Sequence, residues 1–206
     1  MPEAQTQTHT AVSQTAPSWL PASSAARVAL AVIAGSLLLA ISAHVSVPLF
    51  VTPVPFTLQP FAVLLLGLLL DPAVAFATLV AYVVEGASGL PVFTPQGPGG
   101  ILHLMGPSGG FLLSYPFAAA LVSKLSRILP PASFTFAALS AAAGSVVYFT
   151  CGASWLALVA HQPMSVAVKL AVWPFLAGDA IKIVLAAAIV TGLTRFRNRQ
   201  SKESAL

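Results

Sequence analysis

Three long stretches of this chain carry no formal charge. No Asp, Glu, Lys or Arg lies between Arg27 and Asp71, between Glu85 and Lys124, or between Arg127 and Lys169. Each stretch has room for one or two apolar spans of about 20 residues, the length that crosses a bilayer core as a helix. Only 7% of residues are charged, against roughly 25% in ordinary soluble domains. With 57% hydrophobic residues and a mean hydropathy of +0.91, 206 residues cannot cover a water-facing surface. Lipid must solvate most of the chain. The expected fold is an all-α integral membrane protein of the cell membrane, with six transmembrane helices.

Residues 1–25 read as a disordered tail, polar and rich in Thr, Ser, Gln and Ala. Residues 26–195 read as the transmembrane domain, and 196–206 as a basic tail. The apolar stretch after Arg27 runs about 16 residues without a basic region before it, so a cleaved signal peptide is not expected. The six spans are placed at about 26–47, 56–70, 72–88, 111–129, 134–160 and 173–194. A Pro-rich connector, Val47-Pro48 through Thr52-Pro53-Val54-Pro55, separates the first two. Span two is short for a full crossing. Asp71-Pro72 makes the next turn, with Pro suited to the first helical position. Residues 86–110 hold eight of the 14 glycines and four of the 17 prolines, so this segment is expected to be irregular. At membrane depth, such backbone survives only beside protein or a water-filled cavity. Pro130-Pro131 ends span four, and 164–172 is expected as a loop or an interfacial helix.

With six spans, both termini share a side. That side carries Arg27, Lys124, Arg127, Arg195, Arg197, Arg199 and Lys202, and the other side carries only Lys169. The bias places both termini in the cytoplasm. The three irregular connectors then face outward, where an external ligand pocket is expected. The basic residues form no stripe on a folded face, which excludes a nucleic-acid partner. The lone Cys151 allows no internal disulfide and reads as a small packing residue.

Asp179 and Lys182 are the sharpest signal. They lie three apart on the last span, hence on one helix face. Each costs roughly 2.5–3.5 kcal/mol near a bilayer centre. Either a mutual ion pair pins the helices, or the two contact a ligand. The exposed helix start beside them offers unpaired N–H groups that suit a carboxylate. Glu85 and Gln59 are the other polar groups near the outer ends of spans, and both are candidate ligand contacts. The glycine-rich run adds Gly99, Gly100, Ser108, Gly109 and Gly110, whose bare backbone can approach a ligand closely. Along span one, Ala25/Ala29 and Ala31/Gly35 have the small-xxx-small spacing that admits another helix. That helix is either internal or belongs to a second subunit.

Gly106-Pro107-Ser108-Gly109 fits the GxSG pattern of rhomboid intramembrane proteases, which need a His base near the nucleophile. No His follows His161. His9, His44, His103 and His161 are far apart in sequence and read as interfacial or unliganded, with HExxH absent. No metal site, cofactor or enzymatic activity is expected. No Walker A motif is present, so a partner ATPase or an ion gradient must energise any accumulation.

The chain resembles the BioY family, the biotin-specific substrate-binding (S) components of energy-coupling-factor (ECF) transporters. Four segments carry the resemblance: Thr52-Pro53-Val54-Pro55-Phe56-Thr57-Leu58-Gln59, Gly89-Leu90-Pro91-Val92-Phe93, Gly106-Pro107-Ser108-Gly109-Gly110-Phe111-Leu112, and Pro174-Phe175-Leu176-Ala177-Gly178-Asp179-Ala180-Ile181-Lys182. Ala177 stands where the family pattern has Pro, and Ser108 and Phe111 replace Thr and Tyr. The resemblance implies a six-helix fold with a high-affinity biotin pocket closed by outer loops. It also implies docking, largely through the first helix, to a transmembrane coupling subunit bearing two ATPases. It assigns Asp179 and Lys182 to the ureido ring of biotin. A carrier for another small vitamin is the alternative within the same architecture.

Overall fold

The computed structural model describes residues 24–128 and 133–203. The readings placed on residues 1–23, on His9, on Pro130-Pro131 and on 204–206 lie outside them. The chain is mostly helical: α1 (Ser24–His44), β1 (Ser46–Val47), β2 (Phe56–Thr57), α2 (Gln59–Leu69), α3 (Pro72–Ala87), α4 (Ile101–Met105), α5 (Gly109–Ile128), α6 (Phe134–Val159), α7 (Met164–Ala171) and α8 (Leu176–Glu203). A 3₁₀ turn, Trp173–Phe175, leads into α8. Among the described residues, three helical stretches are long and apolar enough to cross a membrane: Ala25–His44, Phe134–Val159 and Met164–Ser201. Gln59–Leu69 and Pro72–Ala87 are shorter apolar helices.

The second span is shorter than the sequence suggests. α2 has 11 residues, about 16 Å at 1.5 Å per residue. Its expected first residues, Phe56 and Thr57, instead pair antiparallel with Val47 and Ser46. The same ribbon ends α1 at His44 rather than Val47. Prolines 48, 53 and 55 explain both changes. Proline disfavours a helix interior, and it biases the residue before it toward extended backbone.

Short as it is, α2 forms the centre of the bundle. It packs against α1, α5, α6 and α8, and Ala62, Val63 and Leu64 are fully buried. A helix apolar on all sides is stable only when surrounded. Glycines bring the neighbours close. A Cβ on Gly67 would lie 2.9 Å from the Ala119 carbonyl oxygen on α5, and one on Gly144 of α6 would lie 2.4 Å from Val122. At the far end of α2, Ser123 donates to the Leu70 carbonyl at 2.6 Å. The Asp71-Pro72 turn follows as expected, and Asp71 pairs with Arg127 of α5 at 2.7 Å.

Other expectations shift in detail. The glycine-rich segment contains the short helix α4, entered through Gly100 at φ 67°. Residues 164–171 form a helix, α7, packed on α6. The backbone after Thr194 continues α8 to Glu203, with Arg199 and Glu203 paired one turn apart. Cys151 is exposed rather than packed inside.

A direct test of the central packing compares two glycines. Gly67→Val should lower thermal stability in detergent, by about 1–3 kcal/mol for overpacking. Gly192→Ala on α8, where a Cβ meets nothing within 4 Å, should leave the midpoint unchanged or raise it through helix propensity.

Candidate ligand-binding site

The start of α8 is built to hold charge. Pro174 sits in the 3₁₀ turn, and the Phe175 N–H bonds the Val172 carbonyl at 3.0 Å. Asp179 then falls in the first turn of α8, where the positive end of the helix dipole favours a carboxylate. Lys182 lies one turn on, along the same face. Both side chains are buried, at 4% and 6% exposure.

The two charges do not pair with each other. Among the described residues the ion pairs are Arg127–Asp71 and Arg199–Glu203. Instead, the Tyr148 hydroxyl of α6 donates to Asp179 and accepts from Ser145 at 2.8 Å. The Lys182 ammonium donates to the Thr57 carbonyl at 2.7 Å. It also sits 4.2 Å from the centre of the Phe56 ring, a cation–π contact. Phe56 stacks parallel to Phe175 at 6.1 Å. Its ring lies against α8 at Gly178, where a Cβ would come within 2.4 Å. The β1–β2 ribbon thus carries Phe56 and Thr57 to the lysine.

Asp179 and Lys182 line one cavity of about 520 Å³, mouth included. Gln59 enters from the start of α2, Tyr148 and Phe149 from α6, and Phe111 and Tyr115 from α5. Gln59 donates to the Tyr82 hydroxyl at 2.7 Å and accepts from Thr57 at 3.3 Å. Tyr82 in turn donates to the Val92 carbonyl at 2.9 Å. Ser108 and His103 line this cavity and also an adjoining hollow beside Pro98 and Pro107.

The sequence candidates therefore divide. Asp179, Lys182, Gln59 and Ser108 come together on the cavity. Glu85 does not line it, and accepts a hydrogen bond from Ser36 of α1. Gly99 and Gly100 lie outside the lining, Gly99 being exposed. Gly109 and Gly110 pack α5 against α6, where a Cβ on Gly110 would meet Trp155 at 2.2 Å. On α1, Ala25 and Ala29 are exposed and Ala31 is half-buried. Gly35 is buried against Thr78 of α3.

Sequence reasoning missed Tyr148, the Thr57 carbonyl and His103. A tyrosine hydroxyl within an apolar span needs a partner, and that was the available signal for Tyr148. Nothing in a sequence marks a backbone carbonyl. His103 is buried. Its Nδ1 donates to the Pro98 carbonyl at 3.0 Å, so Nε2 accepts from Thr94 at 3.3 Å. Both ring nitrogens are engaged, and neither on Ser108.

The cavity thus presents a buried acceptor and a buried donor side by side, walled by aromatic rings. A fitting ligand is mostly apolar and compact, with an N–H donor next to a carbonyl acceptor.

The sequence profile of the BioY family matches residues 11–199. The chain belongs to the BioY family. It is similar to the probable biotin transporter BioY of Pyrococcus horikoshii, 35% identical over 76% of this chain and 89% of that one. It is 34% identical to the biotin transporter BioY of Thermotoga maritima, over 77% and 90% of the two chains. The structure superposes on a crystal structure of the S-component for biotin from an ECF-type ABC transporter. The TM-score is 0.75 at 25% identity, covering 82% of this chain and 91% of the other. This BioY-family chain is a multi-pass protein of the plasma membrane, consistent with its three long apolar helices.

Tyr148→Phe isolates the carboxylate anchor. It removes the hydroxyl that donates to buried Asp179, with an expected cost of roughly 1–3 kcal/mol. Thermal unfolding of the purified protein checks it. An unchanged midpoint would show that Asp179 does not depend on Tyr148.

Proposed function

We propose that this chain is the biotin-binding S component of an ECF-type importer, and that it captures external biotin for uptake. The observation that carries this reading is the separation of Asp179 and Lys182 on one cavity. Biotin's fused rings are apolar except for a ureido group with two N–H donors and one carbonyl acceptor. Asp179 accepts from a ureido N–H, and Lys182 donates to the ureido carbonyl. The Thr57 carbonyl receives the lysine's hydrogen bond, so binding exchanges one carbonyl for another. A site with one negative and one positive group stays neutral overall, which limits the desolvation cost. The aromatic walls take the rings, and the valerate carboxylate points to Ser108. The same geometry assigns no contact to Glu85, Gly99, Gly100, Gly109 or Gly110. The family is one of transporter components rather than enzymes, and the His103 ring nitrogens bond Pro98 and Thr94 rather than Ser108.

In this reading α1, α2, α3, α5, α6 and α8 make six crossings, with both termini cytoplasmic. The basic residues support that orientation, and the short α2 spans with help from the flanking ribbon. The partners are a transmembrane coupling subunit and two ATPases, which energise transport. α1 supports docking to the coupling subunit: Ile33, Leu37 and Ile41 form an exposed apolar stripe, with exposed Ala25 and Ala29 toward its start. Gly35 serves internal packing.

Asp179→Asn should weaken biotin binding at least about 100-fold, or about 2.7 kcal/mol. Glu85→Gln should stay within about threefold of the parent. Titration of purified protein with biotin and with a panel of other vitamins checks both. Unchanged affinity in Asp179→Asn, or equal binding of another vitamin, contradicts the assignment.

A further inference from the structure

A second hollow, of about 550 Å³ with its mouth, adjoins the ligand cavity, and the two share Pro55, His103 and Ser108. The His103 ring stands between them. Its Nε2 accepts from Thr94, which lines the ligand cavity, and its Nδ1 donates to the carbonyl of Pro98, which lines the hollow. The Phe93 ring backs the imidazole at 5.1 Å between centres. With both nitrogens tied, the ring is a fixed partition. The two spaces meet beside it, at Ser108 and Pro55.

Two proline-rich segments make the hollow. Pro53 belongs to the connector before α2, and Pro98 and Pro107 flank α4. Gln96 joins the segments by accepting from Ser46 of β1 at 3.0 Å. Four of the nine lining residues are proline, which has a carbonyl but no N–H. Pro53, Gly97 and Pro98 are exposed, so the hollow reaches the surface.

Neither space holds a counter-ion for the far end of the ligand. Apart from His103, Lys182 is the one basic residue lining either of them among the described residues, and the binding mode proposed above uses it on the ureido group. The Ser108 hydroxyl makes no hydrogen bond among the described residues. A hydroxyl can donate to a carboxylate or to an amide carbonyl. Converting the ligand's acid to an amide therefore forfeits no ion pair, and the proline carbonyls suit the N–H that the amide adds.

We infer that the hollow is a subsite for whatever follows the carboxyl carbon, so that the protein also binds biotin joined by an amide to a primary amine. This rests on the reading of the first cavity as the biotin site.

Calorimetric titration of the detergent-purified full chain with biotin and with ε-N-biotinyl-lysine tests it. The parent chain should bind the amide within about tenfold of biotin. Gln96 lines the hollow and not the ligand cavity. Gln96→Trp should therefore weaken the amide at least about tenfold while biotin stays within about threefold. Gln96→Phe, with a smaller ring, should shift the two affinities apart in the same direction. An amide bound by the parent chain more than about tenfold more weakly than biotin overturns the inference. So does an amide weakened no more than biotin in both variants. A parent chain that fails to bind biotin itself overturns the reading on which the inference rests.

Discussion

The structure depends on keeping two opposite charges apart inside an apolar bundle. Asp179 and Lys182 are one turn from each other on α8, and in a medium of low dielectric their mutual attraction is strong. Left alone, they would collapse into an ion pair and close the site. Two anchors prevent this. The Tyr148 hydroxyl holds the carboxylate, and the Thr57 carbonyl with the Phe56 ring holds the ammonium. Each charge keeps a partner weaker than its opposite, so a ligand offering both an N–H and a carbonyl can displace or supplement those partners.

The architecture follows from what the anchors need. Thr57 and Phe56 must reach α8 from the far side of the cavity, and the β1–β2 ribbon carries them there. The ribbon shortens α2, which is tolerable because α2 is enclosed by its neighbours and exposes little backbone to lipid. Gly178 then lets the Phe56 ring lie against α8, while Gly67 and Gly144 let α2, α5 and α6 approach closely enough to seal the core. Beside the cavity, the Thr94–His103–Pro98 bonds tie the glycine-rich segment into one wall.

Much of this was readable from residue order. Charge-free stretches fix helical membrane spans by a solvation argument that needs no tertiary knowledge. Asp179 and Lys182 stood out because an embedded charge is costly, and Gln59 stood out because it lies where a span begins. Candidates that do not line the cavity are of two kinds. Glu85 is also an embedded acid, but its partner is Ser36, and no spacing rule relates residues 49 positions apart in sequence. Gly109 and Gly110 pack tightly against Leu104 and Trp155, because a missing side chain serves close helix packing as well as ligand approach. Sequence cannot tell those uses apart. The β1–β2 ribbon lay hidden because its two strands have two residues each, too few for a period.

The central claim concerns which atoms meet the ligand, so a structure of the protein with biotin bound tests it most directly. The account predicts the ureido N–H and carbonyl within about 3 Å of the Asp179 carboxylate and the Lys182 ammonium respectively, with Lys182 drawn off the Thr57 carbonyl. Biotin seated elsewhere, or an Asp179–Lys182 ion pair persisting beneath it, would contradict the account.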